Sequence, residues 1–430
     1  MSTFQSNFTI KPRVVCAIAL LISLWQILFA LVLTPNVGGL AAKYDKLNEW
    51  DSDHYTRIVD QGYSMPEGRP WVRDDIHSGA ANVMFFPGYP LASRYFKMAT
   101  GLSTRVSLLL VSQLACWAFW TYLLLILLNA GVGRRGLQVA VFLVLIHPAA
   151  FYLVMGYTES TFLAALLGFI YWSDRLARKD MGRPERVLSW FIAAAHGFVM
   201  SFTRIVSFAA APYAAVAKHT LSSDSKAAGK SWKTFGSPQS YIAPLALGVF
   251  AICGAGFYFY FLQQRFGSWN LYFKLEEIGW GNHRQWLAII NPLSYIPRFF
   301  FEDTRSSINR LSNLSVVLFF VYMWKQEKKR QNKYNDTLKR VGLYFTAFFL
   351  YYIPITGKAA AEMDSMVRYN FPSYILLSLC LGMILPEQTG SFFRDPTTKK
   401  ILWGRALGAF VVFVIQVSNI YRFLRGGWIA

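Results

Sequence analysis

The chain has 430 residues, 54% of them hydrophobic, 17% aromatic and only 15% charged. Soluble domains carry roughly 25% charged residues, so this composition excludes an ordinary water-soluble enzyme and demands an apolar solvent. The net charge of +20 would suit nucleic acid, but the basic residues sit in short loops between apolar runs, which points to anionic lipid headgroups and away from nucleic acid.

Apolar runs long enough for a bilayer need about 17–25 residues. In chain order the apolar runs predict an all-α polytopic membrane protein with about eleven transmembrane helices, over 14–33, 106–128, 137–154, 159–173, 187–203, 205–217, 241–262, 311–324, 341–356, 371–386 and 406–421, those shorter than about 17 residues being loosely bounded or re-entrant. The first follows Lys11 and Arg13 and exceeds the roughly 7–15 residues of a signal-peptide core, so it reads as a retained anchor. Residues 286–302, broken by Pro292 and Pro297, read as an interfacial helix. The division expected is an N-terminal catalytic module, 1–217, with a large outer loop over 34–105, and a C-terminal module, 218–430, with an outer loop over 263–310.

With the N-terminus inside, 24 of the 43 Lys and Arg fall in inner segments, while 15 of the 23 acids fall outside. Fourteen of the outer basic residues lie in the two long loops, which weigh little in orientation. The inner face is therefore a basic rim, and the acid-rich polar structure lies on the non-cytoplasmic side. Cys16, Cys116, Cys253 and Cys380 lie within apolar runs and show no metal-binding spacing. The halves do not repeat each other, unlike those of many transporters.

The densest polar cluster opens the first outer loop: Trp50-Asp51-Ser52-Asp53-His54-Tyr55, running on to Arg57, Asp60, Gly62 and Tyr63. Asp51, Tyr55 and Val59 follow helical spacing, which predicts an amphipathic helix at the membrane surface with Asp51 at headgroup level. There a carboxylate can accept a proton from an attacking hydroxyl. The same spacing turns Asp53 and Asp60 away from Asp51. Met84-Phe85-Phe86-Pro87-Gly88-Tyr89-Pro90-Leu91 follows as a rigid apolar turn. A tight outer connection then holds Gly156-Tyr157-Thr158-Glu159-Ser160, where Glu159 at a membrane mouth needs a cation, water or a helix N-terminus. His196, alone in an apolar run, reads as a packing residue.

These elements, with Pro148-Ala149 between them, are ordered and spaced so as to resemble the GPI mannosyltransferase 2 (PIG-V) family of multi-spanning GT-C glycosyltransferases, over roughly residues 50–210. The resemblance implies a polyprenyl- or dolichyl-phosphate-mannose donor, a lumenal or periplasmic active site and a first-loop aspartate as base, by position Asp51. The segment Thr203-Arg204-Ile205-Val206-Ser207 departs from the eukaryotic form. That departure favours a prokaryotic relative in the plasma membrane, over one in the endoplasmic reticulum, with an acceptor other than the GPI precursor.

The expected activity is inverting transfer of a hexose to a glycan, glycolipid or protein hydroxyl, with Asp51 as base. Asp53, His54, Glu159, Arg204, Arg368, His283 and Arg284 are the candidate donor- and acceptor-binding residues, Arg204 and Arg368 foremost for the lipid phosphate. Lipid phosphate is already a good leaving group, so no cofactor is required and no metal is expected. A transporter of lipid-linked saccharide would place charges mid-span, where the sequence has almost none; a membrane oligosaccharide ligase or polymerase would share the same outer site.

Overall fold

The computed structural model describes residues 11–36, 38–65, 82–177, 181–221, 237–280, 307–329, 334–358, 365–385 and 403–427. Among them the secondary structure is helical, without strands. In chain order the helices are α1 (Pro12–Leu33), α2 (Leu40–Asp45), α3 (Asp51–Gln61), α4 (Gly88–Thr100), α5 (Thr104–Asn129), α6 (Arg134–Ile146), α7 (Glu159–Ala177), α8 (Arg183–Thr203), α9 (Tyr213–Leu221), α10 (Ile242–Phe266), α11 (Leu271–Trp280), α12 (Ser307–Lys329), α13 (Tyr334–Lys358), α14 (Met366–Ile384) and α15 (Trp403–Leu424).

Local chemistry sets many of these limits. Pro12 opens α1, where its missing N–H costs no hydrogen bond. Ser103 caps α5 by accepting from the Val106 N–H. Gly101 and Gly267 end α4 and α10 in the left-handed conformation.

Helix α7 is the central post. It buries residues around its whole circumference, as an all-round apolar helix must, and packs against α5, α8 and α9. Helix α10 lies along α8, α1 lies along α5, and α14 packs between α6, α12 and α13. A single apolar core runs through these helices and draws on residues from Val15 to Leu424. Gly136 of α6 and Gly382 of α14 bring two backbones together, because a Cβ on Gly136 would collide with the Gly382 carbonyl. Small residues permit such close approach where lipid offers no hydrophobic drive. Large apolar side chains such as Leu21, Leu28 and Val32 of α1 and Leu407 and Phe410 of α15 face outward, as a lipid-contacting surface requires.

Four helices among the described residues are long and apolar enough to cross a membrane: α1, α5, α10 with the turn before it, and α15. The expected count of about eleven is not reached on that criterion. Helix α6 has 13 residues and is only about 20 Å long. The amino end of α12 carries Asn309, Asn313 and several serines. The run over 205–217 is no single helix: it is a 3-10 turn, Ile205–Ala210, then Pro212, then the short α9. Pro212 lacks the N–H that would continue the turn into a helix. The interfacial helix expected over 286–302 lies outside the described residues.

Candidate active site

The polar segment between α1 and α5 is built on α3. Its first residue, Asp51, follows Trp50, whose φ of 56° and ψ of −109° place a bulky non-glycine residue at positive φ. Such a conformation costs on the order of 1–3 kcal/mol and persists only where the surroundings over-determine it. Two clasps do so here. Arg105 donates to the Asp45 carboxylate at 2.6 Å, to the Asn48 carbonyl at 2.7 Å and to the Asp53 carboxylate at 3.1 Å. On the other side, Ser52 Oγ donates to the Gly156 carbonyl at 2.9 Å, and the Asp51 N–H donates to Tyr157 Oη at 3.3 Å. Gly156 must be glycine, since a Cβ there would meet the Asn48 and Ser52 side chains.

The segment after α3 is bolted down as firmly. Tyr63 Oη donates to the Phe85 carbonyl at 2.7 Å, Tyr258 Oη to the Val83 carbonyl at 2.6 Å and Tyr89 Oη to the Leu108 carbonyl at 2.8 Å. Phe85 packs against the rings of His54 and Tyr55. The Phe85-Phe86-Pro87-Gly88 turn is thus a packing element that seats α3 on α4, and Gly88 fits flush against Phe202 and Thr203 at the end of α8.

Four charged side chains meet at the end of this scaffold. Arg368 Nη1 donates to Asp51 Oδ2 at 2.7 Å, and its Nε lies 3.0 Å from Glu159 Oε1. Arg204 Nη1 donates to the same Glu159 oxygen at 2.9 Å. The order is Asp51–Arg368–Glu159–Arg204, two carboxylates alternating with two guanidiniums. The side chains are 8%, 12%, 2% and 12% exposed, so this is a buried network rather than a surface one.

Aromatic rings enclose it. The Arg368 guanidinium lies 5.6 Å from the Tyr152 ring, 5.3 Å from Tyr157 and 5.6 Å from Tyr369, and that of Arg204 lies 5.4 Å from Tyr369 and 5.8 Å from Phe162. Ring faces at under about 6 Å stabilise cations. Asp51 and Glu159 are the first residues of α3 and α7, and Arg368 lies in the first turn of α14. Three helix N-termini therefore contribute to one site, and each favours negative charge.

The network is incompletely satisfied. Among the described residues Glu159 Oε2 is buried without a hydrogen-bond partner, and Arg368 Nε, though close to Glu159, is not aligned to bond it. Unpartnered buried polar atoms are rare in native proteins and mark strain, catalysis or a ligand position.

Of the sequence candidates, the structure brings together Asp51, Glu159, Arg204 and Arg368. Asp53 does not join them: it points to Arg105 and is 62% exposed. His54 stands one turn from Asp51, stacked on Phe85 at 4.5 Å, with its Nδ1 buried and unpartnered. Burial lowers its pKa below the ordinary 6.5, with Asp51 pulling the other way, so the ring is held neutral. His283 and Arg284 lie outside the described residues. Asp60 is turned to Lys97 at 2.7 Å. His196 is a packing residue: its Nδ1 is 2.8 Å from the Ile192 carbonyl and its ring lies edge-on to Tyr122. Among the described residues no group of three or more His, Cys, Asp and Glu is placed to hold a metal ion.

The tyrosine enclosure and the Arg105 clasp escaped the sequence reading. Tyr152 and Tyr157 flank the Glu159 motif and Tyr369 adjoins Arg368, so their proximity to charge was the available signal.

No protein-family profile matches the chain, and no curated protein matches it significantly. Solved structures similar to it include the oligosaccharyltransferase of Archaeoglobus fulgidus in the apo form, at 13% identity and a TM-score of 0.45, covering 98% of this chain and 57% of that one. The same enzyme tethered to an acceptor peptide with an NVT sequon gives 14% and 0.42, covering 94% and 55%. The archaeal oligosaccharyltransferase AglB from that organism, in complex with an inhibitory peptide and a dolichol-phosphate, gives 13% and 0.40, covering 100% and 57%. The chain spans a little over half the length of these proteins, and likeness at this level establishes no activity.

Proposed function

We propose that the protein is a membrane glycosyltransferase moving a hexose, mannose first among them, from a polyprenyl- or dolichyl-phosphate sugar to an acceptor hydroxyl. The observation that carries this reading is the buried Asp51–Arg368–Glu159–Arg204 network at three helix N-termini. It sets a carboxylate that can take a proton beside two guanidiniums that can hold an anion, within an aromatic enclosure. A site of this kind suits a reaction in which a proton is lost on one side of an atom and an anion departs on the other.

In that reaction the donor lies against the network, with its phosphate toward Arg204 and Arg368 and its anomeric carbon within reach of an acceptor hydroxyl held by Asp51. Asp51 takes the proton as the acceptor oxygen attacks the anomeric carbon. The bond from that carbon to the phosphate oxygen breaks, and its electron pair leaves with the lipid phosphate, which Arg204 and Arg368 stabilise. One displacement inverts the anomeric centre. The neutral ring of His54, one turn from Asp51, is suited to contact a hydroxyl of the acceptor or the sugar.

The test is purified protein with a synthetic polyprenyl-phosphate hexose and a panel of glycan, glycolipid and peptide acceptors, with products identified by mass. Transfer of a single hexose supports the reading; transport without new bonds, or joining of whole oligosaccharides only, would replace it. The site is assigned to the non-cytoplasmic face on the charge asymmetry of the loops. Cysteines placed at Ser64 and Ser268 should react from that side, and labelling from the cytoplasmic side alone would reverse the topology.

A further inference from the structure

Glu159 is an unexpected neighbour for an anion site. Its Oε1 holds both Arg204 and Arg368, at 2.9 and 3.0 Å, in the place where a phosphate oxygen would bridge the same two guanidiniums. With Asp51 it brings the network to zero net charge, so an arriving phosphate gains little from the site as it stands. Most buried side-chain polar atoms have a hydrogen-bond partner, and an exception calls for an explanation. Here Oε1 faces both cations, and Oε2 is buried with no hydrogen-bond partner among the described residues.

We propose that Glu159 is an internal stand-in for the lipid phosphate: it holds the two arginines while the site is empty and competes with the phosphate for them after transfer, thereby setting the rate of product release. The inference rests on the donor reading above. Its chemistry follows from the change in charge during the reaction. The donor is a phosphodiester with one negative charge, whereas the product is a phosphomonoester carrying about −1.5 to −2 at neutral pH. Two buried guanidiniums would therefore hold the product more tightly than the substrate. A carboxylate that returns to them as the product loosens limits that inhibition. Glu159 is thus a positioning residue that acts through Arg204 and Arg368.

The decisive variant is Glu159→Gln, which keeps the shape and an acceptor oxygen but removes the charge. Binding of a short-chain polyprenyl monophosphate and of its hexosyl diester is measured by calorimetry on the full-length protein in detergent, alongside pre-steady-state transfer. Glu159→Gln should bind the monophosphate at least about 10-fold more tightly than wild type, because one buried repelling charge is gone. The gain should be smaller for the diester. Transfer should show a burst of about one product per enzyme and then a slower steady state, with KM for the donor lowered together with kcat. Glu159→Asp, which keeps the charge but draws it back from the arginines, should shift in the same direction by less, and it decides the matter if the glutamine variant does not fold.

Monophosphate affinity unchanged or weakened in the folded variant, or transfer without a burst, overturns the inference and makes Glu159 a scaffold for the arginines. Failure of the wild type to bind either lipid phosphate overturns the donor reading itself, and this inference with it.

Discussion

Arg368 Nη1 stands 2.7 Å from Asp51 Oδ2, a contact closed across 317 residues of chain. It makes the expected base and an expected phosphate ligand parts of one buried unit. Asp51→Asn retains the size and an acceptor oxygen for Arg368 while removing the proton acceptor. Turnover at saturating donor should fall about 10²–10⁴-fold, with the protein still monodisperse and still binding donor. Asp53→Asn should be mild, since Asp53 only meets Arg105 at the surface. Near-wild-type turnover of the Asp51 variant, with Asp53→Asn inactive, would transfer the base to Asp53.

The two arginines should separate by their effect on folding. Arg204→Ala should weaken donor binding by about 1.5–3 kcal/mol, the worth of a charge-assisted contact, and it leaves Glu159 with Arg368 beside it as a cation. Arg368→Ala leaves both Asp51 and Glu159 short of a cation, and losing one partner of a buried pair costs about 3–5 kcal/mol. Its unfolding midpoint in detergent should drop well below that of Arg204→Ala. Equal midpoints for the two would show that Arg368 does not hold the network together, and donor affinity intact in both would remove the phosphate from this site.

Trp50 offers a test of backbone strain. Glycine accepts its positive φ without penalty, whereas alanine does not. Trp50→Gly should therefore be more stable than Trp50→Ala by about 1 kcal/mol, although it deletes the same side chain. Thermal unfolding of the pair is the measurement; an alanine variant at least as stable as the glycine one would mean that the loop relaxes and the strain is not stored.

His54 gives the fold a dependence on acid. Burial lowers its pKa from 6.5, so below that value the unfolded chain binds more protons than the folded one. Stability is then present above pH 6.5 and is lost as pH falls through the depressed value of the folded state. Unfolding midpoints between pH 7.5 and 5.5 should decline in the wild type and decline less in His54→Gln. Parallel declines would place the sensitivity elsewhere.

The apolar runs were legible because a bilayer helix writes its length and composition directly into sequence; the α1, α5, α10 and α15 boundaries fall within a few residues of the runs that predict them. The broken segment after Arg204 was misread as one span because its composition is apolar throughout and only Pro212 marks the interruption. Within the site, Asp51 and Glu159 stood out as carboxylates at the membrane surface and Arg204 and Arg368 as cations at span ends. Their mutual pairing could not be read, since one sequence does not say which helices are neighbours. Asp53 stands apart from the other candidates because Arg105, 52 residues away, pairs with it.

Pro372 lies within α14, four residues after Arg368. A proline has no N–H, so the helical bond that would end on the Arg368 carbonyl cannot form. The turn that carries Arg368 is fastened instead by the Ser365 carbonyl, which accepts from the Arg368 and Tyr369 N–H groups, and by Asn309 Oδ1, which accepts from the Val367 N–H at 3.2 Å. The guanidinium thus rides on a turn with one backbone bond fewer to the body of α14, and its place is set by α12 through Asn309 as much as by its own helix.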